Sequence, residues 1–196
     1  MNLPNKLTVS RFVFTAVFVV AMVSEVPGHT TIALVLFLTA SITDLMDGAI
    51  ARRDKLVTNF GILMDPLADK ILVCAAFITC VGQRWVPAWM AIIIVARELA
   101  ITGLRMLAAS QNLVLAAESA GKLKTTWQVI SMVAMLVVHS YADWGAVARA
   151  IFDWPVLGRL WSWWFTQFAL WMAVLTTLYS GGAYLWRNRQ VYMRDV

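Results

Sequence analysis

Four aspartates, Asp44, Asp47, Asp65 and Asp69, lie inside two stretches apolar enough to cross a bilayer, and that conflict restricts what this chain can become. The segment reads Asp44-Leu-Met-Asp47-Gly48-Ala-Ile-Ala51-Arg52, then eight residues, then Gly61-Ile-Leu-Met-Asp65-Pro-Leu-Ala-Asp69. An aspartate at the centre of a membrane helix costs about 2.5–3.5 kcal/mol, so four cost on the order of 10–14 kcal/mol if nothing compensates them. Clustered carboxylates at that depth need cations, and a pair of divalent ions balances four of them.

The rest of the sequence agrees that the medium is lipid. The 196 residues are 61% hydrophobic and 14% charged, with a mean hydropathy of +0.72. A soluble domain carries roughly a quarter charged residues. At about 20 residues per span the chain holds six candidate transmembrane helices, roughly 9–24, 30–52, 61–82, 87–108, 123–141 and 164–186. The expected fold is an all-α, six-helix membrane bundle forming a single domain over residues 1–196. The first apolar run is expected to be retained, because Ser24-Glu25-Val26-Pro27-Gly28 lacks a small-x-small cleavage pattern. Residues 1–8 read as a short interfacial element ahead of it. Pro27-Gly28, Val86-Pro87 and Trp154-Pro155 punctuate the links. Residues 142–163 combine Trp144, Trp154, Trp161 and Trp163 with Asp143, Arg149, Asp153 and Arg159, which suits an interfacial helix or loop with Trp at headgroup depth. Cys74 and Cys80 sit six apart on one helix, face different ways, and are expected to be free thiols. His29 and His139 fall near the outer ends of spans and join no ligand set.

Charge then orients the bundle. Eleven Lys and Arg gather on one side, among them Lys6, Arg52, Lys55 and Arg187, against Arg84, Arg149 and Arg159 on the other. The positive-inside rule puts both termini in the cytoplasm. It also accounts for the net charge of +5 without a nucleic-acid partner. The link between the second and third spans lies on the positive side, so the aspartates open toward the cytosol. At 1.5 Å per residue, Asp47 lies about 8 Å and Asp44 about 12 Å below Arg52.

Asp44 and Asp47 are spaced i, i+3 and Asp65 and Asp69 i, i+4, so each pair shares one helix face. Gly61 and Gly48 leave room for a bulky ligand to approach backbone, and Arg52 sits one turn past Gly48, placed for a phosphate oxygen. Hard carboxylate oxygens with no His or Cys nearby select Mg²⁺ or Mn²⁺ over zinc. Paired metals about 3.5–4 Å apart are a recurring device for phosphoryl transfer. Pairing of the aspartates with Arg52, Arg53, Lys55 and Lys70 as helix glue is the plainer alternative.

The string Asp-x2-Asp-Gly-x2-Ala-Arg-x8-Gly-x3-Asp-x3-Asp, spanning residues 44–69, resembles the signature of the CDP-alcohol phosphotransferases at every fixed position. The resemblance implies that Asp44, Asp47 and Asp65 are metal ligands and that Asp69 is both a ligand and the proton acceptor. It implies that Gly48, Arg52, Gly61 and Thr58 hold the CDP moiety of a CDP-diacylglycerol donor, together with Asn5 to Thr8 at the start of the first span. Homodimers formed through the membrane helices, and a place in the cytoplasmic (inner) membrane, are implied too.

The signature leaves the acceptor alcohol open. Span four carries Ala96-Arg97-Glu98-Leu-Ala-Ile-Thr-Gly-Leu-Arg105, and span five opens Ala120-Gly121-Lys122-Leu-Lys124-Thr125-Thr-Trp-Gln128. Arg97 and Arg105, two turns apart, lie on similar faces, whereas the adjacent Arg97 and Glu98 cannot share a face directly. Glu98 is expected to pair with some basic neighbour. Arg105, Lys122 and Lys124 are expected to form a basic rim beside the acidic site, which suits an anionic acceptor. Topology alone would also collect some of these cations, but Arg97 lies deeper than topology requires. These strings are similar to those of the bacterial phosphatidylglycerophosphate synthases within the family, which implies sn-glycerol 3-phosphate as the acceptor. Inositol phosphate, serine or phosphatidylglycerol are the alternatives. A divalent-cation transporter is disfavoured, because no acid continues the path toward the outer face and no half-to-half symmetry is evident. The resemblance fades beyond about residue 142, where Gly181-Gly182 allows either close packing or a bend.

Overall fold

The protein is described by a computed structural model. It covers the backbone of residues 3–54, 59–111, 113, 115 and 119–193, and the side chains of residues 9–43, 70–111, 113, 115 and 121–193. Among the described residues the fold is all-α apart from one two-stranded hairpin. Six long helices of 21 to 27 residues dominate: α1 (Leu3–Val23), α2 (His29–Asp54), α3 (Asn59–Gly82), α4 (Ala88–Ser110), α5 (Ser119–Ser140) and α7 (Trp161–Arg187). At 1.5 Å per residue the shortest is about 31 Å long, matching a hydrocarbon core of about 30 Å. Two short helices, α6 (Ala146–Phe152) and α8 (Arg189–Tyr192), flank α7.

Residues 3–8 are the opening turns of α1 rather than the separate interfacial element expected there, because α1 already begins at Leu3. Pro4 falls in its first turn, where a missing N–H costs nothing, and no breaker follows it.

Where helices stop, the cause is local. Pro27-Gly28 ends the α1–α2 link, with Gly28 at φ +76°, a conformation other residues rarely adopt. Beyond α3 the Gln83 Nε2 donates to Met22 O at 2.7 Å, satisfying an end carbonyl of α1 and pinning the two helices together. Thr30 Oγ1 donates to His139 O at 3.2 Å, and the Trp85 ring stacks on His139 at 3.7 Å, so the same end also gathers α2 and α5.

Residues 141–160 form a folded cap at this end. A 3-10 turn (Tyr141–Trp144) leads into α6, and β1 (Pro155–Val156) pairs antiparallel with β2 (Arg159–Leu160). Leu157 (φ +51°) and Gly158 (φ +77°) make the two-residue turn, both left-handed as a tight hairpin demands. Indole groups fasten the cap: Trp161 Nε1 donates to Ile151 O at 2.7 Å, Trp164 Nε1 to Val156 O at 3.0 Å, and Trp144 Nε1 to Thr31 Oγ1 at 3.0 Å. The strands were not foreseen, since two-residue strands leave no periodicity to read.

The exterior of the long helices is apolar: Val20 is 68% exposed on α1, Ile92 64% on α4 and Leu175 53% on α7. A contiguous apolar exterior of this extent marks contact with lipid or protein. Among the described residues, α7 is long and apolar enough by length and composition to cross a membrane, with shorter apolar stretches at Val9–Val23, His29–Thr43 and Lys70–Gly82.

The interior has two apolar clusters with a polar layer between them. The larger, toward the capped end, joins Phe18 and Met22 of α1, Phe37 of α2, Phe77 and Cys80 of α3, Ile94 of α4, Met132 and Leu136 of α5 and Val174 of α7. Cys74 and Cys80 are free thiols, Cys80 lying 3.7 Å from the Met132 sulfur. The smaller cluster, toward the opposite end, joins Ile101, Leu104 and Ala108 of α4 with Tyr184 of α7 and Val191 of α8. Along α4 the residue between Ile94 and Ile101 that turns inward is Glu98, and along α7 the inward residues between Val174 and Tyr184 are Thr177, Ser180 and Gly181.

Candidate functional site

Asp44, Asp47, Gly48 and Arg52 fall on α2, and Gly61, Asp65 and Asp69 on α3, so the spacings of three and four remain helical spacings. Asn5 and Thr8 fall in the opening turns of α1. The side chains of all these residues lie outside the described ones, and Thr58 lies outside them altogether. All-carboxylate donors on continuous helices fit the hard cations Mg²⁺ and Mn²⁺. Among the described residues no group of three or more His, Cys, Asp or Glu is placed to hold a metal ion, and the aspartates stand outside that set.

The residue after Asp69 on α3 is a cation, Lys70. Lys70 of α3 points its Nζ to within 3.8 Å of Glu98 Oε2. Glu98 is 2% exposed, and it is the centre of the polar layer. Lys124 of α5, itself only 4% exposed, donates from Nζ to Glu98 Oε1. Gln128, one turn along α5, places Nε2 3.4 Å from the same oxygen and donates to Thr177 Oγ1 of α7 at 3.1 Å. Arg97 of α4 sets Nη1 3.5 Å from Glu98 Oε1 and Nη2 3.3 Å from Ser180 Oγ of α7. Four helices therefore meet through one carboxylate.

Three cations, Lys70, Arg97 and Lys124, surround Glu98. The buried Arg97 Nε and Glu98 Oε2 have no hydrogen-bond partner among the described residues. One turn beyond Ser180, Arg105 donates from Nε to the Tyr184 hydroxyl at 3.2 Å and sits over its ring at 5.4 Å from the centroid. That contact adds a cation–π attraction to the hydrogen bond.

One expectation needs correction. The basic rim is not one surface: Lys122 and Arg105 are exposed, whereas Lys124 is withdrawn into the bundle against Glu98. The long Arg97 side chain reaches its neighbour Glu98 although the two lie on different helix faces. The expectation that Glu98 takes a basic partner holds, and it takes several.

Of the two roles open to Gly181, the structure supports close packing. A Cβ there would sit 2.8 Å from Arg97 Cγ, so glycine is what lets the arginine pass across α7. At Gly182 a Cβ would meet nothing within 4 Å. Sequence reasoning missed this wall altogether. Its signal was present: Thr177, Ser180, Gly181 and Tyr184 follow the i, i+3, i+4, i+7 pattern of one helix face, polar or small where the rest of α7 is apolar.

Comparison with known proteins bears directly on this arrangement. The profile of the CDP-alcohol phosphatidyltransferases matches residues 1–179, nearly the whole chain. The chain belongs to that family. It is 39% identical to the CDP-diacylglycerol–glycerol-3-phosphate 3-phosphatidyltransferase of Bacillus subtilis (strain 168), over 95% of each chain. The proteins of the same name from Mycoplasma pneumoniae and Rickettsia bellii are 35% and 32% identical, over 80% and 93% of this chain and 78% and 93% of theirs. As a CDP-alcohol phosphatidyltransferase the chain carries the aspartate signature on α2 and α3, and Lys70, the residue after the last aspartate, faces Glu98.

Proposed function

We propose that this membrane enzyme transfers the phosphatidyl group of CDP-diacylglycerol to sn-glycerol 3-phosphate, giving phosphatidylglycerophosphate and CMP. The observation that carries the reading is the cluster of Lys70, Arg97 and Lys124 around Glu98, whose first member adjoins Asp69 in sequence. Lysine and arginine side chains gathered at one point suit an acceptor that brings its own phosphate. The relatives named above bear the same activity in their names over most of their length.

The assignment of roles follows the chemistry. Asp44, Asp47, Asp65 and Asp69 would hold two divalent cations, Mg²⁺ or Mn²⁺, which supply neutralisation of the donor pyrophosphate and of the departing CMP. Asn5, Thr8, Gly48, Arg52, Thr58 and Gly61 would line the CDP moiety. Arg97, Arg105, Lys122 and Lys124 would receive the acceptor phosphate, Lys122 and Arg105 from the exposed side and Arg97 and Lys124 from within. Asp69 accepts the proton of the acceptor hydroxyl as that oxygen forms its bond to the lipid-bearing phosphorus. The bond from that phosphorus to the bridging oxygen of the pyrophosphate breaks, and CMP leaves with the electron pair. Positioning and charge stabilisation supply most of the rate, as in phosphoryl transfer generally.

The same reading places the six long helices across the membrane, both termini and the aspartates on the cytoplasmic side, and the chain in a homodimer whose contacts come from the apolar helix exteriors. The deciding experiment is an acceptor panel. Purified enzyme in lipid nanodiscs with CDP-diacylglycerol and Mg²⁺ is offered glycerol 3-phosphate, serine, inositol phosphate or phosphatidylglycerol. CMP release with glycerol 3-phosphate and not the others is expected; release only with another alcohol overturns the assignment.

A further inference from the structure

We infer that Glu98 is a positioning residue for the acceptor: its carboxylate holds Lys124 and Arg97 in the pose that receives the acceptor phosphate and ties them to α3 beside Asp69. This rests on the acceptor assignment just made and adds to it the group that organises the site.

Three observations carry it. First, the contacts converge. Lys124 of α5, Arg97 of α4 and Lys70 of α3 all face one 2%-exposed carboxylate, and Gln128 relays that point to Thr177 of α7. Second, the hub holds unspent hydrogen-bonding capacity, with Glu98 Oε2 lacking a hydrogen-bond partner among the described residues. Arg97 Nε is buried without a hydrogen-bond partner among the described residues, although the guanidinium is fixed by Ser180 and Glu98. A planar guanidinium with a spare donor, beside an ammonium, is the arrangement that takes a tetrahedral oxyanion. Third, α7 is shaped to keep Arg97 there, because a methyl at position 181 would overlap its Cγ at 2.8 Å.

Glu98 keeps Lys124 buried and Arg97 directed while the phosphate is absent. Because Lys70 adjoins Asp69, the same carboxylate fixes the acceptor cations relative to the helix that carries the base.

The test is steady-state kinetics in nanodiscs with both substrates varied. Glu98→Gln is isosteric and removes only the charge. The acceptor KM is expected to rise tenfold or more while the donor KM stays within twofold, and Glu98→Asp is expected to recover part of the loss. Gly181→Ala perturbs the same arginine without touching a charge, so it too should raise the acceptor KM selectively. Equal rises in both KM values for Glu98→Gln, or an unchanged acceptor KM, overturn the inference. Should Glu98→Gln fail to fold, Gly181→Ala decides: an acceptor KM within twofold of wild type overturns it. Failure of the underlying assignment looks different, since wild-type enzyme would then release no CMP with glycerol 3-phosphate.

Discussion

Replacing Lys124 by methionine separates the two things that residue does, and the structure sets the size of each. Lys124 is 4% exposed and donates to Glu98. Removing one partner of an isolated buried pair costs about 3–5 kcal/mol, because the other charge is left alone. Glu98 would not be left alone, since Arg97 Nη1 remains at 3.5 Å, Lys70 Nζ at 3.8 Å and Gln128 Nε2 at 3.4 Å. The stability loss should therefore fall nearer the about 1.5–3 kcal/mol of one charge-assisted hydrogen bond, with methionine filling most of the lysine's volume. The acceptor loses one such bond to its phosphate as well. At 1.36 kcal/mol per tenfold, about 1.5–3 kcal/mol becomes a rise of roughly 10- to 150-fold in acceptor KM. The assay is CMP release against glycerol 3-phosphate concentration at saturating CDP-diacylglycerol, with a thermal melt of the same preparation. An unchanged acceptor KM, or a rise confined to the donor KM, would refute the reasoning.

Other substitutions probe neighbouring parts. Asp69→Asn keeps the shape and removes the base, so transfer should fall to background while circular dichroism still reports a folded helical chain; retained turnover removes Asp69 from that role. Lys122→Ala acts on an exposed cation, so the acceptor KM should rise more than the donor KM, by less than for the buried Lys124, and the melt should not move. Phe37→Ala empties the apolar cluster toward the capped end, where Phe37 is fully buried and its ring centroid lies 6.0 Å from that of Phe18. It should cost about 3–5 kcal/mol of stability by denaturant or thermal unfolding and leave both KM values within twofold, since the polar layer lies away from it.

Much of the helical layout was legible because breakers are explicit. Pro27-Gly28 and Pro87 mark links that the structure also leaves outside helices, and the expected run at 61–82 lies inside α3 (Asn59–Gly82). The start of α1 was misjudged because the polar residues Asn5, Lys6 and Thr8 lowered hydropathy without supplying a breaker. The spacing of the aspartates was legible for the same reason that helices are periodic. The Glu98 hub was not. Its partners come from α3, α4 and α5, and no spacing within one helix announces that Lys70, Arg97 and Lys124 converge. Nor did adjacency suggest that Arg97 would turn back on Glu98. On α7 the pattern Thr177, Ser180, Gly181, Tyr184 was readable in principle, but its meaning depends on which side chain crosses it, and Arg97 is 84 residues away in sequence from Gly181.

The proposed chemistry requires α2 and α3 to grip a pair of cations through their aspartates. Manganese binding to the purified chain, read by electron paramagnetic resonance, measures this directly. Two spin-coupled Mn²⁺ ions per chain, about 4 Å apart, are predicted, lost in Asp65→Asn and retained in Lys124→Met. A chain that binds no coupled pair, or one whose bound manganese is indifferent to Asp65→Asn, contradicts it.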